Sequence, residues 1–116
     1  MKVRIRNRRE AQIVVAEVLS TPWARARGYL FRRPPHRHEG LFFLYPRPRR
    51  VAIHMWGVPF PLTVVWIGEN TKVVGVTTVK PWVGFAVSPS VVMGFLETRA
   101  GCTTFAPGDL VVWEEL

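Results

Sequence analysis

Four residues that lie far apart in the sequence could together bind a ligand: Arg32, His54, Trp82 and Glu97. A guanidinium forms forked contacts with carboxylates and phosphates, an imidazole exchanges protons near neutral pH, and an indole stacks on a ligand or donates to it. We therefore predict that these side chains line a ligand pocket. The same residue types also serve structure, since Arg32 could cap a helix or pair with a buried acid such as Glu97, and His54 could bond to core backbone.

A second set of candidate residues is basic. Residues 1–50 contain 13 Lys or Arg and 3 Asp or Glu, a balance of +10, whereas residues 51–116 contain 3 and 5, a balance of −2. Such an asymmetry attracts anionic partners without specifying them, and it could equally serve only solubility. We predict that four of these side chains bind anions: Arg27, Arg47, Arg49 and Arg50. Three aromatic residues stand beside the last three and could stack on nucleic-acid bases: Phe42, Phe43 and Tyr45.

Signatures of covalent catalysis and of cofactor binding are missing from the sequence. Ser88, Ser90 and Cys102 lie in no nucleophile motif and have no recognisable base beside them. The glycines form neither a phosphate-binding loop nor a dinucleotide fingerprint. We therefore expect no bound cofactor.

One segment superficially resembles a metal-binding loop. His36 and His38 alternate with other residues and are followed by Glu39, so two imidazoles could share a face of an extended segment. However, no further His or Cys stands at ligand spacing, and Arg33 and Arg37 would repel a cation. We expect a solvated loop and no metal site.

Short β-branched runs between Gly and Pro predict a mainly β chain with about eight strands. The predicted strands cover residues 2–6, 12–19, 40–45, 51–55, 62–67, 71–79, 91–96 and 110–114. We predict a turn at residues 7–10 and loops at residues 34–39 and 45–50. One short helix is predicted, with Thr21 as the N-cap, Pro22 in the first position and Leu30 near the end. This set of elements fits a compact barrel-like β-sandwich.

A chain of 116 residues predicts a single domain that spans residues 1–116. The lone Cys102 cannot form a bridge within the chain, and no apolar run approaches the roughly 18 residues that a membrane span requires. We therefore expect a cytoplasmic protein that makes no membrane contact. Its oligomeric state cannot be predicted from these features.

An ordered series of short motifs runs along most of the chain: Arg27-Gly28-Tyr29-Leu30-Phe31-Arg32, Gly40-Leu41-Phe42-Phe43, Ile53-His54-Met55, Phe60-Pro61-Leu62-Thr63, Val79-Lys80-Pro81-Trp82, Leu96-Glu97 with Gly101, and Gly108-Asp109. Over about residues 20–113 this series resembles domain-of-unknown-function family 192, an uncharacterised prokaryotic family. Where the family often has Asp after the Pro-Leu pair, this chain has Thr63, so a carboxylate is missing there. The resemblance implies a mostly β, barrel-like domain and no established activity.

Three functional hypotheses follow from these observations. The preferred one is a small non-catalytic module that binds a small molecule or another protein, because no catalytic motif is present. The second is weak, non-specific binding of nucleic acid or another polyanion by the Arg-rich half. The third is an enzyme of unrecognised type that uses Arg32, His54 and Glu97.

Overall fold

The computed structural model describes residues 1–9 and 12–116. In these ranges the backbone forms nine strands and one helix, which confirms the predicted mainly β class with one short helix. The elements in chain order are β1 (Lys2–Asn7), β2 (Ile13–Leu19), α1 (Pro22–Arg27), β3 (Glu39–Arg49), β4 (Ala52–His54), β5 (Leu62–Ile67), β6 (Val73–Val79), β7 (Phe85–Val87), β8 (Val92–Arg99) and β9 (Val111–Glu115).

Seven strands form one mixed sheet, in the order β6-β5-β8-β3-β2-β1-β9, and β4 and β7 form a separate antiparallel pair. The β2–β3 pair is parallel, and helix α1 lies in the connection between its strands, as a parallel crossover requires. The two edge strands approach each other only at one end, where Lys72 and Leu110 form an isolated bridge. The barrel that the sequence suggested is therefore not closed.

The large sheet packs a hydrophobic core on each face. Side chains alternate along each strand, so Phe42 and Leu96 point into one core and Phe43 and Phe95 into the other. The first core, which contains Phe42 and Leu96, also contains residues of β1, β2 and β9. The second is covered by the segment around Tyr29, by β4 and β7, and by the loops beside them. Strand β5 lies between both cores, and all six of its residues are buried.

Helix α1 begins as the sequence predicts and ends earlier. The Thr21 hydroxyl accepts a hydrogen bond from the Ala24 amide at 3.1 Å, and Pro22 occupies the first helical position. The helix ends at Arg27 and does not continue to Leu30, because Gly28 takes φ +47°. A methyl group on Gly28 would lie 3.3 Å from the Phe43 ring, so helix and sheet are in close contact there.

Two further sequence predictions of local structure were wrong. The short strand β7 was missed, because three residues carry almost no periodic signal. The predicted loop at residues 45–50 is largely the second half of β3, although it contains Pro46 and Pro48. These prolines are tolerated because pairing with β8 shifts register between Leu44 and Arg49, where no ladder donor is needed. The predicted turn at 7–10 falls partly outside the described residues, because residue 10 does.

Helix α1 has six residues. Among the described residues, no helix has the length and apolar character needed to cross a lipid bilayer.

Candidate functional site

A cavity of about 280 Å³ opens on the face of the large sheet that carries Phe43 and Phe95. Its floor consists of alternate residues of three adjacent strands: Phe43 and Tyr45 of β3, Phe95 and Glu97 of β8, and Leu62 of β5. These side chains share a face because strand residues two apart point the same way. We call this cavity the aromatic pocket.

The other walls of the aromatic pocket come from two segments that cross the sheet. Helix α1 contributes Arg25 and Arg27, and the chain immediately after it contributes Tyr29. The segment that begins with β4 contributes His54 and Met55, with Val58 further along. The lining therefore combines an apolar interior with basic groups on the helix side, which is typical of sites for small organic molecules.

Glu97 is the most unusual residue of the aromatic pocket. Its side chain is buried, with 6% of the residue exposed, and its neighbours across the strands are the apolar Leu41 and Val64. Within residues 1–9 and 12–116 its carboxyl group forms no hydrogen bond or ion pair. Burial alone raises the pKa of Glu97 to about 8, so the carboxyl group is mostly protonated at neutral pH. A protonated carboxyl group can donate a hydrogen bond as well as accept one.

Arg25 is held rigidly at the wall of the same pocket. Its Nη1 donates to the carbonyl oxygens of Ser20 at 2.6 Å and Leu44 at 3.0 Å. The guanidinium carbon lies 4.6 Å from the centre of the Tyr45 ring, and that of Arg49 lies 5.4 Å from it. Burial raises the pKa of Tyr45 although both arginines oppose the shift. The pocket therefore has a fixed cation beside an aromatic wall.

His54 lines the aromatic pocket, and one of its ring nitrogens is already engaged. Its Nδ1 accepts a hydrogen bond from the Trp56 amide at 3.3 Å, so in the neutral ring the proton resides on Nε2. His54 itself is exposed, as is Trp56, which has 72% of its surface accessible. The histidine therefore lies at the entrance, whereas Glu97 lies in the floor.

A second cavity of about 310 Å³ lies beside the first, and we call it the polar pocket: Lys2, Glu17, Tyr29, Arg32, Arg33 and Glu39 line it together with less polar residues. Arg32 Nη1 donates to Glu17 Oε2 at 2.7 Å. Arg33 donates from both Nη atoms to the two Glu39 oxygens, at 2.9 and 3.1 Å. The Arg33 bonds and the His36 amide lower the pKa of Glu39 to about 2. Both acids of this pocket are thus paired.

Tyr29 separates the two cavities, and of the described residues it alone lines both. It is 6% exposed, and its ring packs edge-on against Phe60 with the ring centres 5.8 Å apart. Burial raises the pKa of Tyr29 most, and the charges of Glu97 and Glu39 raise it further. The tyrosine ring is therefore the wall between a pocket with an unpaired acid and a pocket with paired ones.

The four residues predicted to share a pocket do not all meet. The structure places His54 and Glu97 in the aromatic pocket and Arg32 in the polar pocket, where its acidic partner is Glu17 and not Glu97. Trp82 lines neither cavity. It is 55% exposed and has φ +63°, outside the usual range for residues other than glycine.

The predicted anion-binding arginines are also divided. Arg27 lines the aromatic pocket, whereas Arg47, Arg49 and Arg50 are exposed around the end of β3. Strand β1 runs opposite to β3, so Arg8 and Arg9 lie at the other end of the sheet.

Several basic residues of the N-terminal half have acidic partners: Arg4 pairs with Glu114, Arg9 with Asp109, Arg32 with Glu17 and Arg33 with Glu39. Phe42 and Phe43 are buried in the two cores and are not available to stack on bases. The basic residues of the N-terminal half are thus divided between the two ends of the sheet, and several of them are paired with acids.

Three polar or aromatic residues of the aromatic pocket were not predicted to line a ligand pocket: Arg25, Tyr29 and Tyr45. One signal could have found Tyr45, because it continues the alternation Leu41, Phe43, Tyr45 on a single strand face. No local signal identifies Arg25, whose position depends on the crossover between β2 and β3.

No group of three or more His, Cys, Asp or Glu side chains suited to a metal ion occurs in the described part of the chain. In the segment with His36, His38 and Glu39, the Glu39 carboxylate is already engaged by Arg33 and by the His36 amide.

Comparisons with known proteins agree with the resemblance seen in the sequence. The family model for DUF192, described as "Uncharacterized ACR, COG1430", matches residues 3–113, which extends further toward the N-terminus than the motifs. No curated protein matches the chain. A crystal structure from Sinorhizobium meliloti, described as a "putative transcription regulator", is similar with TM-score 0.86 and 22% identity, covering 97% of this chain and 92% of that one. A protein of unknown function from Novosphingobium aromaticivorans is similar with TM-score 0.86 and 22% identity, covering 97% of this chain and 84% of that one.

Proposed function

The chain belongs to the uncharacterised family DUF192 (COG1430), which has no assigned activity, and we propose from the pocket itself that it binds a small organic ligand without transforming it. The ligand occupies the aromatic pocket, with its apolar part against the sheet. The observation that carries the proposal is the Glu97 carboxyl group, which is buried in the floor of an open cavity and, within the described residues, has no hydrogen-bond or ion-pair partner.

This observation supports binding because buried polar groups in folded proteins almost always have a hydrogen-bond partner. A carboxyl group such as that of Glu97, buried among Leu41, Val64 and aromatic rings, destabilises the fold unless something compensates. A ligand that bonds to it would provide the missing partner. The paired acids of the polar pocket have no such requirement.

The proposal excludes catalysis on the basis of what surrounds Glu97 and His54. Of the residues that the structure describes, neither Ser nor Cys lines the aromatic pocket, and Arg32, the third residue of the enzyme hypothesis, lies in the other cavity. A nucleophile within hydrogen-bond reach of a base is the usual requirement for covalent catalysis. Binding requires only the cavity and its donors.

Weak nucleic-acid binding has less support. The name of the Sinorhizobium meliloti protein suggests regulation of transcription, but at 22% identity the likeness concerns the fold alone. The remaining argument is the net charge of +8, and several of the arginines behind it are paired with acids. The exposed arginines predict salt-sensitive contact with phosphates, and two of the aromatic residues predicted to accompany them, Phe42 and Phe43, are buried and cannot stack on bases.

The proposal is tested with three probes that share a phenylpropyl body: 3-phenylpropionate, 3-phenylpropanol and 3-phenylpropylamine. A ligand of about ten non-hydrogen atoms, at about 0.3–0.4 kcal/mol per atom, binds with a Kd on the order of millimolar. Titration followed by protein NMR detects such affinities. We expect at least one probe to shift the signals of residues that line the aromatic pocket.

A matched pair of variants locates the binding. Ala26→Trp places an indole at an exposed position of α1 that lines the aromatic pocket, and Ala100→Trp makes the same change in a turn that lines neither cavity. The first variant should lose probe binding and the second should retain it, with both folded by circular dichroism. If none of the probes binds, or if Ala26→Trp binds as well as Ala100→Trp, the proposed function is wrong.

A further inference from the structure

We infer that the aromatic pocket is selective for organic monoanions: small carboxylates with an apolar body, in preference to the alcohol or amine of the same shape. This inference rests on the proposed function, because it names the chemical class of the ligand for the same pocket. The family description names no ligand, so the argument comes from the polar groups of the lining.

Three side chains that line the aromatic pocket carry hydrogen-bond donors. Arg25 and Arg27 have guanidinium groups, which only donate, and the neutral ring of His54 keeps Nε2 as its donor because Nδ1 already accepts from the Trp56 amide. Within the described residues, Arg25 forms its hydrogen bonds through Nη1, so its remaining N–H groups are left for a ligand. Donors that converge on one cavity fit a ligand whose polar end only accepts, as a carboxylate does.

The charges of the lining favour an anion as well. Two arginines stand at the helix side, and the one acid in the floor, Glu97, is neutral at pH 7 because burial raises its pKa to about 8. The pocket therefore carries a net positive charge at neutral pH. A cation would have to approach Arg25 and Arg27, and it would occupy the Tyr45 face that Arg25 and Arg49 already contact.

The apolar lining determines the size and apolar character of the part of the ligand that does not carry the carboxylate. Phe43 and Phe95 are stacked with their ring centres 4.3 Å apart, and Leu62, Met55 and Val58 extend the apolar surface around them. A cavity of about 280 Å³ accommodates a molecule with a single ring and a short chain. A fully hydrated inorganic anion would leave this surface unfilled.

Glu97 makes the selectivity dependent on pH. The titratable and charged groups near it include Arg25 and Arg27 from α1, Tyr29 after the helix, Glu39, Tyr45 and Arg49 from β3, His54 from β4, and Arg99 two residues further along β8, whereas its partner on β5 is the apolar Val64. A bound carboxylate favours the neutral form of Glu97, because two negative charges in a cavity repel each other. Affinity for the anion is then constant below the pKa of Glu97 and falls above it, whereas affinity for a cation would rise.

The first test compares the same three probes at pH 6.5. We expect 3-phenylpropionate to bind at least about tenfold more tightly than the alcohol and the amine, because charge-assisted hydrogen bonds are the stronger ones. Arg27→Gln should weaken only the carboxylate, by about threefold to tenfold, while the control Arg37→Gln at an exposed loop changes nothing. If the amine or the alcohol binds as tightly as the acid, the inference is wrong although the pocket still binds ligands. If none binds, the proposed function itself fails.

The second test is the pH dependence of the carboxylate affinity between pH 6 and 9. The probe stays ionised over this range, since carboxylic acids of this kind have pKa values of about 4–5. We expect a plateau at low pH and a loss of affinity above about pH 8, and Glu97→Gln should bind without that loss because its amide does not titrate. An affinity that is independent of pH in the parent protein, or that rises, overturns the inference.

Discussion

The aromatic and polar pockets are neighbours of similar volume, about 280 and 310 Å³, and Tyr29 stands between them. The carboxyl groups in the two pockets differ in their partners and in the direction in which their pKa values shift. In the polar pocket Glu17 pairs with Arg32 and Glu39 with Arg33, and the pKa of Glu39 falls to about 2. In the aromatic pocket Glu97 has no such partner, and its pKa rises to about 8.

Whether a carboxyl group has a guanidinium partner distinguishes structural charges from candidate binding groups. A carboxylate that already has a guanidinium partner connects two segments of the chain and needs nothing else. A buried carboxyl group without a partner destabilises the fold, and such groups are concentrated at functional sites. Arginine and glutamate occur near both pockets, so composition alone would not distinguish them.

The largest expected effect comes from removing the wall between the pockets. Tyr29→Ala should lower the free energy of unfolding by about 3–5 kcal/mol, as for other large buried aromatic side chains. It should also lower the pKa of Glu97, because water and the Arg32 side of the protein then reach the carboxyl group. Urea unfolding and NMR titration of Glu97 measure the two effects. Tyr29→Phe keeps the ring, so it should cost much less. Equal costs for both variants would show that the ring is not the wall.

The next effect concerns the pH dependence of stability. In the unfolded chain Glu97 ionises near pH 4.3, and in the fold at about pH 8, so between these values the folded state holds a proton that the unfolded state has lost. Stability then falls as pH rises through this window, by up to about 1.4 kcal/mol per pH unit. Glu97→Gln should remove this slope, so the variant should be about 3 kcal/mol more stable than the parent at pH 7 and equally stable near pH 4.

Denaturant unfolding of Glu97→Gln between pH 4 and 9 measures the difference. Glu69→Gln, which replaces a carboxylate in an exposed turn, serves as the control for the loss of an acidic group. A variant that is no more stable than the parent at pH 7 would show that Glu97 is not buried without a partner in solution.

The smallest effect is expected for Glu17→Gln, which should lower stability where Glu97→Gln raises it. Glu17→Gln removes the partner of Arg32, and both side chains are partly exposed, so stability should fall by about 1 kcal/mol or less. The loss should shrink in high salt, because salt screens the pair in the parent protein. Thermal unfolding at low and high salt measures it. If Glu17→Gln stabilised the protein as Glu97→Gln does, the contrast between the two pockets would be lost.

The sequence also shows how far local patterns determine the site. The sequence indicated Arg27, His54 and Glu97 as candidates for chemistry, and the structure brings them to one pocket. It also selected Arg32 and Trp82, which lie elsewhere. The residues come from α1, β4 and β8, and nothing in the local sequence states which segments will face each other across a sheet. Arg25 and Tyr29 were missed for the same reason, whereas the alternation Leu41, Phe43, Tyr45 along β3 could have indicated Tyr45.

Local structure follows directly from the sequence. Thr21 and Pro22 set the start of the helix, Gly28 allowed its end, and the apolar run at residues 62–67 specified a strand buried on both faces. The position of β8 between β3 and β5 follows from the tertiary fold, which places Glu97 opposite Leu41 and Val64 and pairs Arg32 with Glu17. Strand order and register depend on contacts distant in sequence, whereas caps and turns depend on neighbours along the chain.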